Sequence, residues 1–270
     1  MKFWKIEAPY YESDYEEVYV NGLLYHPFSL PGVECDTCGQ KWGGSRILPY
    51  TCPIALQKNK LLRDSGPIPL SQHKVLWEEV LTELRNEEII ISKLFPGDIF
   101  QPCYLDVPSK PTSDFLWASL GSLIVSERVK NMLLEHCAGD VSCCEVILRK
   151  VGKFDSKLPA PIPETGEPDS IIDRIEVESL PLYSLGSYYE VCIMNESELP
   201  PGCEIVNFCS KCGRVEFDTS KREIRMIESM WRGSQIFFLA TTMDIIVTDS
   251  LKKIIEGLKP TNITFSKVGQ

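Results

Sequence analysis

The sequence predicts an α+β fold in which two distant cysteine knuckles form a split zinc ribbon joined to two similar strand-helix-strand units. Three observations predict it. The pattern Cys-x-x-Cys-Gly occurs twice, at Cys35–Gly39 and Cys209–Gly213. The stretch Leu123-Ile124-Val125-Ser126-Glu127-Arg128-Val129-Lys130 is echoed by Ile245-Ile246-Val247-Thr248-Asp249-Ser250-Leu251-Lys252. And 270 residues, 43% of them hydrophobic, suffice to bury one sizeable core. We read residues 1–270 as a single composite domain. The ribbon is drawn from residues 31–52 and 203–218, and the two units span residues 115–152 and 236–270.

Taken in chain order, Glu16 to Tyr19 reads as a short strand running to the turn pair Asn21-Gly22. Leu30-Pro31-Gly32-Val33 then delivers the first knuckle. Ser71 to Asn86 is the clearest helix: Leu76, Val80 and Leu84 recur every four residues, Trp77 and Leu81 flank them, and Ser71 can cap the start. Ile89 to Ile91 reads as a brief strand and Phe95-Pro96-Gly97-Asp98 as a turn.

The first repeated unit has a strand from Leu120 to Val125, a helix capped by Ser126 and running to about Cys137, and a strand from Glu145 to Val151. Residues 153–170 carry four prolines and predict an exposed loop, because proline forbids helix interiors. Ile171 to Glu178 alternates as a strand does. Leu199-Pro200-Pro201-Gly202 is a turn before Cys203 and the second knuckle. In the closing unit, Ile254 and Ile255 match Met132 and Leu133, and Lys267-Val268-Gly269 matches Lys150-Val151-Gly152. Each copy places an acid in the first helical turn, where it complements the helix dipole. Duplication of one unit and convergence on a common helix start account for this equally well.

The formal net charge is -10, and no local cluster of Lys and Arg offsets it. Phosphate neutralisation by such residues supplies most nucleic-acid affinity, so nucleic acid is an unfavoured partner. An acidic surface suits a basic protein and speeds its association. The start Met1-Lys2-Phe3-Trp4-Lys5 lacks the apolar run of a signal peptide, and no run reaches the roughly 20 residues that span a bilayer. The expected setting is cytoplasmic, with no membrane partner.

Eleven cysteines in a reducing compartment point to metal before disulfides. Zinc takes four thiolates in a tetrahedron, and two cysteines three apart reach one ion from a tight turn. Each knuckle supplies two ligands, so Cys35, Cys38, Cys209 and Cys212 complete a closed structural Zn²⁺ site with no position left for a reacting water. Redox-active dithiols, buried free thiols and coincidence are the alternatives, and Asp36-Thr37 and Ser210-Lys211 do not resemble the strand-to-helix setting of redox pairs. Cys52 and Cys203 flank the knuckles as spare candidates. Cys143 and Cys144 are adjacent and poorly placed to chelate together. Cys103, Cys137 and Cys192 read as small buried hydrophobes.

Catalytic groupings are thin. His26, His73 and His136 lack metal-type spacing, and the Gly43-Gly44-Ser45 run lacks the rest of a phosphate loop. The acid pairs Glu16-Glu17, Glu78-Glu79 and Glu87-Glu88 read as solvated faces. The chain is therefore expected to be a binding protein and not an enzyme. A zinc-ribbon nucleic-acid-binding or regulatory protein is the alternative.

Five stretches together resemble the double-CXXCG motif immunity proteins, a paralogous group first recognised in myxobacteria. They are Met1-Lys2-Phe3; Leu30 to Gly39 with Trp42; Pro96-Gly97 followed by Phe115, Trp117 and Leu123-Ile124-Val125; Cys209 to Gly213 with Arg214; and the closing stretch Thr241 to Val268. The resemblance implies a toxin-neutralising role, in which the protein binds a cognate toxin in the cytoplasm of the cell it protects. The acidic groups Glu164, Glu167, Asp169 and Asp173, then Glu12, Asp14, Glu16 and Glu17, are the places to look for contacts with a basic toxin, while each taken singly reads first as a solvated loop.

Overall fold

A computed structural model describes residues 1–9, 22–63, 66–91, 93–107, 110–118, 121–150, 180–181, 187–220 and 226–268. The loop 153–170, the strands expected at Glu16–Tyr19 and Ile171–Glu178, and both acidic groups lie outside these residues.

The N-terminal part contains β1 (Phe3–Glu7), β2 (Leu23–Tyr25), β3 (Phe28–Ser29), β4 (Val33–Glu34), β5 (Lys41–Trp42), β6 (Ile47–Thr51), β7 (Ile68–Pro69), α1 (Leu70–Asn86) and β8 (Ile99–Gln101). The middle contributes β9 (Cys103–Val107), β10 (Phe115–Leu116), β11 (Ile124–Ser126), α2 (Glu127–His136), β12 (Val141–Lys150), β13 (Leu180–Pro181) and β14 (Tyr188–Ile193). The remainder holds β15 (Glu204–Phe208), β16 (Val215–Asp218), β17 (Ile236–Phe238), β18 (Ile245–Thr248), α3 (Asp249–Gly257) and β19 (Thr264–Lys267). The fold is α+β, mostly strands with three α-helices among the described residues.

Both strand-helix-strand segments have the same topology. The four-stranded sheet runs β17-β18-β1-β19, and the large sheet contains the run β10-β11-β14-β12 before continuing to β9 and β2. In each, a hairpin leads into a helix, the helix crosses to a parallel strand, and an antiparallel strand from elsewhere in the chain fills the gap. This is a split strand-helix-strand arrangement. The gap-filling strand of the closing unit is β1, so the start of the chain sits between β18 and β19.

The pleat decides what each face buries, since successive side chains alternate. Ile6, Ile236, Ile245 and Val247 on one sheet and Val125, Val191 and Ile193 on the other share a core with Val129, Met132 and Leu133 of α2 and Leu251 and Ile255 of α3. The opposite face of the four-stranded sheet covers Met226, Met230 and Leu239. The opposite face of the large sheet carries Cys103, Leu105, Ile124, Val146, Leu148 and Tyr188. A fourth cluster lies under α1, where Leu76, Val80 and Leu84 meet Phe28, Leu30, Leu48 and Phe100.

Several local expectations are corrected. Ser71 lies inside α1; Pro69 holds the N-cap position and no side chain caps the helix. Ile89 to Ile91 is not a strand: Glu88 is left-handed (φ 62°) and the Ile89 amide turns back to the Leu84 carbonyl at 2.8 Å, closing off the helix. Ser126 does hold the N-cap position of α2, but its hydroxyl donates to Asp114 instead of capping. Thr248 accepts from the Leu251 amide at the start of α3. The strand expected at Glu145 begins earlier, at Val141, because it pairs with β14 from Ile193 onward.

Candidate metal centre

Each knuckle is the tip of a hairpin. The first joins β4 to β5, and the second joins β15 to β16. The two are built by the same hydrogen bonds. The Cys35 amide donates to the Gln40 carbonyl (3.0 Å) and the Gly39 amide to the Cys35 carbonyl (2.7 Å); Cys209 and Arg214 (3.0 Å) and Gly213 and Cys209 (2.8 Å) repeat the pattern. Closing so tight a turn needs a left-handed residue after the second cysteine, which Gly39 (φ 68°) and Gly213 (φ 77°) supply.

The tips meet. Cys35 Sγ lies 3.9 Å from Cys209 Sγ, and Cys38 Sγ lies 3.9 Å from Cys212 Sγ, across 174 residues of chain. All four sulfurs lie within 4.8 Å of one another. A tetrahedron with metal–sulfur bonds of about 2.3 Å has edges of about 3.8 Å, so the cluster of four sulfurs is the right size for one ion. All eleven cysteines are free thiols, so no disulfide competes for these atoms. Val33, Trp42 and Leu70 pack around the cluster, leaving Cys35 and Cys209 buried and Cys38 and Cys212 half-buried.

The backbone prepares the sulfurs for negative charge. Amides of Cys212 and Lys211 hold the Cys209 thiol down at about 6. Those of Cys38 and Thr37 lower Cys35. Cys38 moves the other way: the Gln40 amide favours its thiolate, but burial and the sulfurs of Cys35, Cys209 and Cys212 push it up to about 11. Four thiolates in one place repel one another, and a divalent cation at their centre removes that conflict.

No family model matches this chain, and no curated protein does.

The spare cysteines stand elsewhere. Cys52 is buried under α1, where burial pushes its thiol up to about 12. Cys203 sits beside Thr241, with its sulfur 3.8 Å from the hydroxyl. Cys137 and Cys143 line the central core. Cys144 lies on the other face of β12, 3.9 Å from Cys192. His73 is buried within α1, where burial lowers its pKa against the pull of the Pro31 carbonyl, and His136 is exposed in the last turn of α2. No described helix is long and apolar enough to cross a membrane.

Proposed function

We propose that Cys35, Cys38, Cys209 and Cys212 hold one structural Zn²⁺ in a split zinc ribbon, and that the clipped fold serves as an immunity protein binding a cognate toxin. The convergence of two matching knuckles from opposite parts of the chain carries the metal reading. A four-thiolate set leaves no coordination position for water, which fits a structural ion and a binding role. Zinc is the natural occupant of such a set, since thiolates favour it over magnesium or calcium.

The neutralising role rests on the resemblance set out above, and one surface feature supports it. The β15–β16 hairpin stands out from the fold with every residue of β15 exposed, including Ile205, Val206 and Phe208 at about 60% each. Val215 on β16 adds to the patch. Several large apolar side chains exposed on one hairpin, with Phe208 paired to Val215, suit a protein–protein contact. The zinc knuckle at the hairpin tip would fix this surface against the body of the protein. A toxin with an apolar seat and a basic rim suits the patch, with Glu204, Glu216 and Asp218 beside it and an overall charge of -10.

Two experiments test the two halves. Reconstitution with Co²⁺ should give the charge-transfer spectrum of four thiolates, absent in Cys38→Ser and Cys212→Ser; a spectrum unchanged in those variants overturns the metal reading. Co-expression with a candidate toxin from a neighbouring gene should restore growth, and I205S/F208S should abolish the rescue while retaining metal. Rescue unaffected by that pair would move the contact surface elsewhere, and no rescue by the wild type would sink the immunity role.

A further inference from the structure

A second constellation of donors lies on the outer face of the large sheet, separate from the knuckles. Glu190 is fully buried at the centre of β14. His26 Nε2 donates to its Oε2 at 2.8 Å, Gln101 Nε2 donates to the same oxygen at 2.9 Å, and Ser122 Oγ donates to Oε1 at 2.9 Å. Cys103 completes the group: its sulfur, the Glu190 carboxylate and the His26 ring nitrogen lie within 4.8 Å of one another. Cys103 is 0% exposed, and the side chain of His26 only 10%.

Ordinary packing does not require this set. A buried carboxylate is satisfied by hydrogen bonds alone, and Glu190 already has three. The sheet nevertheless brings a nitrogen, a sulfur and an oxygen donor from three separate strands or strand ends to one point. Gln101 adds an independent sign. It is 4% exposed, and its Oε1 has no hydrogen-bond partner among the described residues. A half-turn of its amide exchanges oxygen and nitrogen. That would place the oxygen where Nε2 now stands, beside the Glu190 carboxylate, as a fourth donor.

We propose that His26, Cys103 and Glu190 bind a second divalent transition-metal ion, with Gln101 Oε1 completing the coordination. The mixed nitrogen, sulfur and oxygen set suits Zn²⁺ or Co²⁺ and disfavours the all-oxygen preferences of Mg²⁺ and Ca²⁺. Binding releases the Cys103 thiol proton and the proton that His26 Nε2 shares with Glu190. One ion then faces one thiolate, one carboxylate and a neutral imidazole, a set with no net charge in a buried place. Ser122 turns the Glu190 carboxylate by holding Oε1, as outer partners of metal ligands do.

The test is a Co²⁺ titration of the full chain, followed by absorption and by metal content per chain. Two equivalents are expected, one with four-thiolate charge transfer and one with the weaker band of a single thiolate. C103S, H26Q and E190Q should each retain only the first. Ser122→Ala, a milder change, should weaken the second equivalent about 10- to 100-fold. Binding of a single equivalent by the wild type, or a second equivalent that survives all three ligand substitutions, overturns the proposal and leaves a buried hydrogen-bonded network. Loss of the four-thiolate band alone would fall on the knuckle site and not on this one.

Discussion

Asp114 shows how much one buried side chain can tie together. Its carboxylate accepts from the Arg128 guanidinium, from Ser126 Oγ, and from the amide and hydroxyl of Thr261. Those bonds join β10, the start of α2 and the loop after α3. The Arg128 hydrogen bonds, chiefly, hold its carboxyl well below the usual range against the opposing effect of burial. A carboxyl whose folded pKa is depressed stabilises above its unfolded value, near 4, and that stability is lost as pH falls. Asp114→Asn should therefore cost about 1.5–3 kcal/mol at pH 7. Urea unfolding at descending pH should show the gap to wild type closing below about pH 4; a gap independent of pH would contradict the charged role. The knuckle glycines give a second residue-scale expectation. Nothing lies within 4 Å of a side chain added at Gly39 or Gly213, so substitution costs backbone strain alone. Gly39→Ala should lose about 1–2 kcal/mol, and Gly39→Asn less, because asparagine tolerates the left-handed region. At this scale the four knuckle cysteines were legible because a three-residue spacing fixes both sulfurs on one turn. His26, Cys103 and Glu190 were not, because their positions are set by strand pairing over 77 and 87 residues.

Among the elements, α1 was the most legible, from its apolar stripe at four-residue spacing, and it spans Leu70–Asn86 as against the expected Ser71 to Asn86. Leu84 is fully buried, so Leu84→Ala should cost about 2–5 kcal/mol, readable as a lower urea midpoint with an unchanged slope. The two repeated helix starts look alike in sequence but use their caps differently. Thr248 caps α3, so Thr248→Ala should cost about 1 kcal/mol through the helix, and more if its bond to Gln235 counts. Ser126 serves Asp114, so Ser126→Ala should matter only where Asp114 is charged. Hydrogen exchange of the first turns of α2 and α3 separates these cases: T248A should expose its helix start, and S126A should not. The sequence could suggest a strand, a helix and a strand in each unit, because these are local patterns. It could not show the strand inserted between them, because pairing partners such as β1 carry no local mark.

For the whole molecule, the start of the chain is held in the closing unit by β1, and the knuckles bridge two hairpins 174 residues apart. A metal bound only by the folded chain raises stability by about 4 kcal/mol at a thousandfold excess over its dissociation constant. Chelation should then lower the melting temperature by roughly 10 °C in a domain of this size. If the proposed toxin partner is basic, the net charge of -10 predicts, at this same scale, that association slows as salt is raised, with dissociation little changed. Stopped-flow association at two ionic strengths checks this, and a salt-independent rate would place the contact on the apolar hairpin alone.

The central claim is that four thiolates from two knuckles share one ion, and the most direct measurement is the zinc content and thermal unfolding of Cys103→Ser, which isolates that centre. The account predicts one zinc per chain, its loss in C38S/C103S, and a melting temperature that falls sharply when a chelator removes the ion. A metal-free chain that melts at the same temperature with and without zinc would contradict it.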